Sequence, residues 1–293
     1  MPAHESSDGK RIFLTHPKGA SVEILLFGAT VVSWKCRNRD GAGGPVERLF
    51  VSSKSALDGT KPVRGGIPIV FPFFGPPTKE QHAGLPQHGF ARSSWWSWDK
   101  CTILDKDSGV SVRLTFQPAV SVTHDSVRLT YVVTLTEHQL STNLHVENTS
   151  ESDQAKAIEF QALLHNYIAA PASEATVVGL KGLQYTDKTD GAFPRKLETR
   201  DNVDVLNYTD YVYEDGPREY IVEWAKQGIK VKAIGLKDVV VWNPSIEAGK
   251  KMGDMEEGGW EKYICVEPGY VVGWASVEPG QTWMGGQSLT VVD

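Results

Sequence analysis

Apolar and polar side chains alternate with a period of two along several stretches of this chain. Val110, Val112, Leu114 and Phe116 are interleaved with Ser111, Arg113 and Thr115. Val127, Leu129, Tyr131, Val133 and Leu135 are interleaved with Arg128, Thr130 and Thr134, with Val132 as the one exception. A half-buried strand produces this pattern because successive side chains point to opposite faces. A helix would need a period of 3.6, and no long stretch combines that period with end caps. Residues 21–32 and 228–241, rich in Val and Ile, also read as strands. Glu137-His-Gln-Leu140 reads as the turn into a further strand over residues 141–146. The 28 Gly and 16 Pro are spread throughout, as expected of many short strands joined by tight turns. The fold class expected is therefore all-β.

With 293 residues, 40% of them hydrophobic, the chain can bury a sizeable core. There is no internal repeat, low-complexity tract or interdomain linker. Asp40-Gly-Ala-Gly-Gly-Pro45 is too short to separate domains and reads as a hairpin tip. One domain over residues 1–293 is expected. The net charge of −6 repels phosphate backbones and argues against nucleic acid as a partner. An anionic substrate would need a locally basic site. Cys36, Cys101 and Cys265 are odd in number and far apart, with no Cys-x-x-Cys, which argues against a disulfide framework or a metal centre. Three free thiols suit a reducing compartment. The first eight residues are polar, without the apolar stretch of a secretory signal. No apolar run approaches the length that spans a bilayer, so no membrane association is expected and the cytoplasm is the default location.

Two stretches break the alternation: residues 58–68 and 85–92. Each collects Pro, Gly and Arg in an irregular segment, and such segments on a sheet scaffold often carry function. Arg64 and Arg92 lie in them, and a guanidinium binds phosphate oxygens in pairs. Each arginine could instead pair with a carboxylate or a loop carbonyl, which is the preferred reading for the nearby Lys61. In the segment around His165, a strand would place Phe160, Ala162 and Leu164 on one face. Gln161, Leu163, His165 and Tyr167 would share the other, which is polar enough to line a groove. A satisfied core histidine is the competing reading and, on this segment alone, the preferred one. Glu267 ends the apolar run Ile264-Cys-Val266, where partial desolvation would raise its pKa and a nearby donor would lower it. An exposed strand end explains it equally well. Asp204 could contact a polar ligand or be a solvated loop carboxylate. Trp242, after Val239-Val-Val241, could stack on a sugar or pack into the core.

Taken in order, these segments resemble one family. Lys61-Pro-Val-Arg-Gly-Gly-Ile-Pro-Ile-Val-Phe-Pro72 with Phe-Phe-Gly75, then Leu85-Pro-Gln-His-Gly-Phe-Ala-Arg92, look like the glucose-6-phosphate 1-epimerases. These are the hexose-6-phosphate branch of the aldose 1-epimerases. Val240-Val-Trp-Asn-Pro244 and Ile264-Cys-Val-Glu-Pro-Gly269 follow in the same order, and the similarity runs from about Val22 to near Leu289. The chain departs from the pattern over residues 182–200 and after Gly269. The resemblance implies a large antiparallel β-sandwich of the galactose-mutarotase type. It implies His165 as general acid, Glu267 as general base, and substrate contacts from Arg64, Gln87, His88, Arg92 and Asp204. It also implies a sugar-phosphate substrate and no metal or organic cofactor. A monomer is the favoured oligomeric state.

Exchanging anomers requires opening a cyclic hemiacetal. A base takes the proton of the anomeric hydroxyl while an acid protonates the ring oxygen. The aldehyde then turns and the ring closes on its other face. Histidine suits the acid because its pKa lies near neutrality, and a carboxylate beside an imidazolium stays ionised. A glycoside hydrolase or lyase on a similar sandwich would instead need two opposed carboxylates, for which Glu267 and Asp204 are available. A non-catalytic carbohydrate-binding module would leave His165 structural. A cupin-like metalloenzyme is disfavoured because the sequence lacks a His-x-His pair.

Overall fold

A computed structural model describes residues 2–106, 108–118, 126–152 and 154–292. Among the described residues the strands form three sheets of five, nine and eight strands, and every strand pairing within them is antiparallel. The protein is an all-β sandwich. The five-stranded sheet is a meander over residues 3–47. The nine- and eight-stranded sheets hold most of the remaining chain.

The alternation translates directly into burial. In strand Val127–Leu135 the odd positions are buried and the even ones are not, and strand Gln139–Asn148 alternates throughout. Leu140 pairs with Leu135 across the short turn between them, so the second strand begins two residues earlier than the sequence suggests. Asp40–Pro45 does join two paired strands, Thr30–Cys36 and Val46–Glu47.

Two long runs divide where the sequence reads as continuous. Residues 21–32 split into Ser21–Leu25 and the start of Thr30–Cys36, because Gly28 and Ala29 turn through positive φ. Residues 228–241 split into Gln227–Ile234 and Asp238–Asn243, which belong to different sheets. Gly235 makes that crossing at φ +67°, where a Cβ would meet the Met284 carbonyl oxygen at 2.2 Å. Leu26 and Phe27 carry apolar character through the first turn and Leu236 through the second, which hides them from a periodicity reading.

Helices are minor. Among the described residues the α-helix present is Ser245–Gly249, with a few single 3₁₀ turns beside it. No helix is long and apolar enough to cross a membrane among the described residues. Cys36 and Cys265 are buried and free, and the Cys101 side chain lies outside the described ones.

The eight-stranded sheet positions the site. One of its faces presents Phe160, Ala162, Leu164, Val239, Val241, Ile264 and Val266 to the main core, which it shares with the inward side chains of the other two sheets. Its other face carries the intervening residues: Leu163, Val240, Trp242, Cys265 and Glu267, with His165 just beyond the strand end. Val70, Leu163, Val212, Val240 and Val271 form a second apolar cluster there. The same period of two that builds the core thus delivers polar side chains to the opposite face.

Candidate active site

His165 follows strand Ile158–Leu164, and its backbone N–H donates to the Pro68 carbonyl at 3.0 Å. That bond ties it to the irregular segment carrying Arg64. Tyr167 stacks on the imidazole with centroids 4.7 Å apart, and Trp242 meets it edge-on at 5.9 Å. Gln161, expected on the same polar face, is occupied structurally. Its amide donates to the Val271 and Gly273 carbonyls and its oxygen accepts the Phe74 N–H.

Glu267 is not at a strand end. It lies inside strand Tyr263–Val277, which runs on through Pro268 and Gly269, and it pairs with Val240. It is 1% exposed, and its Oε1 lies 3.4 Å from His165 Nδ1. His165 Nδ1 and Glu267 Oε2 are both buried without a hydrogen-bond partner. Burial pushes the Glu267 carboxyl well above its usual range, with Asp210 adding to the effect. Burial pushes His165 well below its usual value, helped by His88, Arg92 and Arg64. An imidazolium holding a carboxylate ionised is therefore not the state favoured in the empty pocket. Removing both groups from water favours the neutral pair, with the proton on the carboxyl.

The Arg64-Gly-Gly66 segment threads between strands. A Cβ on Gly65 would lie 2.4 Å from the Phe50 carbonyl oxygen, and one on Gly66 would lie 2.2 Å from that of Val31. This close passage anchors Arg64, whose guanidinium donates to Asp254 and to the Tyr167 hydroxyl, each at 3.1 Å. Gln87, His88 and Arg92 arrive together on the other irregular segment. His88 takes φ +67°, and its Nδ1 accepts the Gly75 N–H at 3.1 Å. That bond leaves Nε2 as the protonated nitrogen of the neutral ring. Burial first, then the nearby cations, lower the His88 pKa to about 3. Arg92 donates to the Gln87 carbonyl at 2.9 Å, and its buried Nε has no partner. Burial lowers its pKa to about 10. Unlike Arg64, it has no carboxylate ion pair among the described residues.

Arg64, Gln87, His88, Arg92, His165 and Glu267 all line one cavity of about 330 Å³. Six of the seven residues singled out in the sequence thus converge, from segments up to two hundred residues apart. Asp204 does not join them. It sits on an edge strand of the nine-stranded sheet, paired with Thr176, and its carboxylate accepts the Leu206 N–H. The chain changes sheets after it, so the carboxylate that reaches the cavity is Asp210, on strand Thr209–Tyr213 of the eight-stranded sheet. Burial raises the Asp210 pKa, and Lys188 faces it at 3.7 Å. Lys188 also lines the cavity and lies over the Phe74 ring, 4.5 Å from its centroid. Neither residue stands out in the sequence, since Lys188 falls in the stretch that departs from the family pattern. Trp242 lines the wall as well as packing. Lys61 is exposed and away from the site. Two more open clefts, of about 490 and 690 Å³, bring together no such set of buried titratable groups.

Residues 10–290 match the sequence model of the aldose 1-epimerases. The chain belongs to the aldose 1-epimerase family. A protein of Cenchrus ciliaris named "Putative glucose-6-phosphate 1-epimerase" is 31% identical, over 97% of this chain and 85% of its own length. One of the same name from Escherichia coli is 30% identical, over 88% and 82%. Among solved structures, a "putative mutarotase" of Salmonella typhimurium superposes with a TM-score of 0.83 at 24% identity, over 100% of this chain and 97% of that one. A galactose 1-epimerase of Lactobacillus acidophilus superposes with a TM-score of 0.73 at 16% identity, over 99% and 97%. These structures share the sandwich. As an aldose 1-epimerase, the chain is an epimerase acting on sugars. The cavity places an imidazole and a carboxyl 3.4 Å apart.

Proposed function

We propose that this protein interconverts the α and β anomers of a hexose 6-phosphate, with glucose 6-phosphate as the leading candidate. His165 and Glu267 act as the proton-transfer pair. The ring oxygen and the anomeric hydroxyl are bonded to the same carbon, so the donor and acceptor serving them must be neighbours. These two groups are neighbours, and both are shielded from bulk water. Opening and reclosure need one proton shared between the pair. Glu267 takes the anomeric proton and His165 protonates the ring oxygen when the imidazolium–carboxylate form is populated. A phosphate dianion beside Arg64, Arg92 and Lys188 would offset the positive field that disfavours that form. Positioned proton transfer contributes roughly 10²–10⁴-fold per group. Asp210, Gln87 and His88 Nε2–H are placed to receive sugar hydroxyls, and Trp242 offers an apolar wall. No metal or organic cofactor enters the scheme.

The observation that carries the phosphate half is Arg92. It is a cation in the cavity of an acidic chain, with no carboxylate ion pair among the described residues and with an unpartnered Nε. Burying such a group costs stability unless a ligand completes it. The same proposal takes residues 1–293 as one unit, monomeric and cytoplasmic. The test is anomer exchange followed by polarimetry or NMR on glucose 6-phosphate and on glucose. A strong preference for the phosphorylated sugar is expected. Preference for free glucose would refute the substrate assignment while leaving the epimerase chemistry intact.

A further inference from the structure

One buried group beside the proton-transfer pair takes no part in the reaction. Cys265 and Glu267 are two residues apart on one strand, so both point to the same face of the sheet. Tyr167, two residues after His165, pairs with Cys265. One donor atom from each of His165, Cys265 and Glu267 lies within 4.8 Å of the other two. Cys265 is fully buried and in no disulfide. His165 Nδ1 and Glu267 Oε2 are buried and unpartnered. Three donors of different chemistry therefore converge with spare coordinating capacity.

We propose that His165, Cys265 and Glu267 form a binding site for a thiophilic divalent cation of the zinc and cadmium type, and that its occupancy inhibits the enzyme. A nitrogen, sulfur and oxygen donor set selects such ions, whereas magnesium and calcium take oxygen ligands. In a tetrahedral zinc site with bonds of about 2.0–2.3 Å, donors stand roughly 3.3–3.8 Å apart. Side-chain movements of about 1 Å close the observed spacing to that value. His165 and Glu267 line the cavity and Cys265 does not, so the thiol forms the floor of the site. The fourth position opens toward the cavity, which is also the route of entry. The thiol proton and the proton on the Glu267 carboxyl both leave for solvent as the metal binds. Arg64 and Arg92 oppose a cation here, while Asp210 and Asp254 partly offset them, so a chelator removes the ion readily. Both lone pairs needed for proton transfer are then engaged by the metal. The binding half of the proposal stands independently, and the inhibition half rests on the function proposed above.

The experiment uses the full-length protein in chelator-free buffer. Cadmium and zinc chlorides are titrated by calorimetry, cadmium also by its ultraviolet thiolate-to-metal charge-transfer absorption, and anomer exchange is measured in parallel. Wild type should bind one cadmium ion with the charge-transfer band and lose activity, and EDTA should restore it. Magnesium should do neither. Cys265→Ala should keep its anomer exchange, lose the band, and need a roughly tenfold or greater metal concentration for inhibition. Cys265→Ser, closer in volume, serves the same purpose should the alanine variant fold poorly. His165→Asn should bind more weakly yet keep the band. Cys36 and Cys101 remain in every variant as internal controls. Absence of the band from wild type, or unchanged inhibition in both Cys265 variants, would overturn the proposal. Cadmium binding with the band in a protein without anomer exchange would uphold the site and refute the function proposed above.

Discussion

Replacing Arg92 by alanine should separate phosphorylated from free sugars. The guanidinium donates to the Gln87 carbonyl at 2.9 Å and its buried Nε is unpartnered, and the function proposed above adds the substrate phosphate to its neighbours. Two charges 4 Å apart attract by about 4 kcal/mol in partly exposed surroundings, before desolvation is subtracted. A charge-assisted hydrogen bond contributes about 1.5–3 kcal/mol net. Losing it corresponds to roughly a ten- to hundredfold fall in kcat/KM for glucose 6-phosphate. Free glucose has no group for Arg92 to hold, so its kcat/KM should change far less. Arg64 compensates only in part, because Asp254 and the Tyr167 hydroxyl already engage it. The assay is the initial rate of anomer exchange from pure α-anomer, with the uncatalysed rate subtracted, for both sugars in both proteins. Raised salt should weaken the phosphate sugar more than the free one, since the contact is ionic. A fall by the same factor for both sugars would show that Arg92 shapes the cavity and does not bind phosphate.

His165→Asn and Glu267→Gln should each reduce anomer exchange by roughly 10²–10⁴-fold while the protein stays folded, and either variant with near wild-type turnover would remove that residue from the mechanism. The Glu267 change should not lower the melting temperature, because it replaces a buried carboxyl whose Oε2 lacks a partner with a neutral isostere. Thermal stability of the ligand-free protein should fall as pH drops from 6.5 toward about 3, because unfolded His88 takes up a proton that the folded state refuses until about 3. His165 is shifted in the same direction, and its stabilisation is likewise lost as pH falls. His88→Asn, which tolerates positive φ, should flatten that slope in melts recorded against pH. Gly66→Ala should destabilise by about 2–4 kcal/mol in denaturant titrations, since it adds left-handed strain to a backbone clash at 2.2 Å, and a change under about 0.5 kcal/mol would contradict the close passage.

Alternation made the strands legible because one face of each is buried and the other is not. It failed where both faces are covered. Residues 228–241 look like one strand because the sheet they enter at Asp238 is buried on both sides: Val239 and Val241 face the core, and Val240 faces the site cluster. Gly235-Leu-Lys-Asp238 marks the crossing, but the apolar residues on both sides of it let the run read as one strand. The same burial explains why Glu267 looked like a strand end. Proline ordinarily stops a ladder, yet here the pairing continues through Pro268 opposite Val239.

The site divided differently. Arg64 and Arg92 were visible because irregular segments dense in Gly and Pro need special backbone conformations, and Gln87 and His88 came with the family resemblance that the second segment carries. Gly65, Gly66, His88 and Gly89 all take positive φ. On the residues alone His165 and Glu267 were visible only as polar members of apolar runs; the family resemblance paired them, and the sheet register accounts for their proximity. Asp204 and Asp210 show where sequence reasoning stops. Each is a carboxylate within or beside a short strand, six residues apart, and no local property separates them. What separates them is topology: one strand closes the edge of the nine-stranded sheet, and the next lies against Asp238–Asn243 in the sheet that carries the cavity. The distinction also has an electrostatic consequence that a solvated loop residue could not produce. Asp210 lies near enough to raise the Glu267 pKa, and Lys188 at 3.7 Å from Asp210 counters it. On the function proposed above, a ligand anion that draws Lys188 away would strengthen the influence of Asp210 on Glu267, so this one ion pair would couple phosphate recognition to proton affinity.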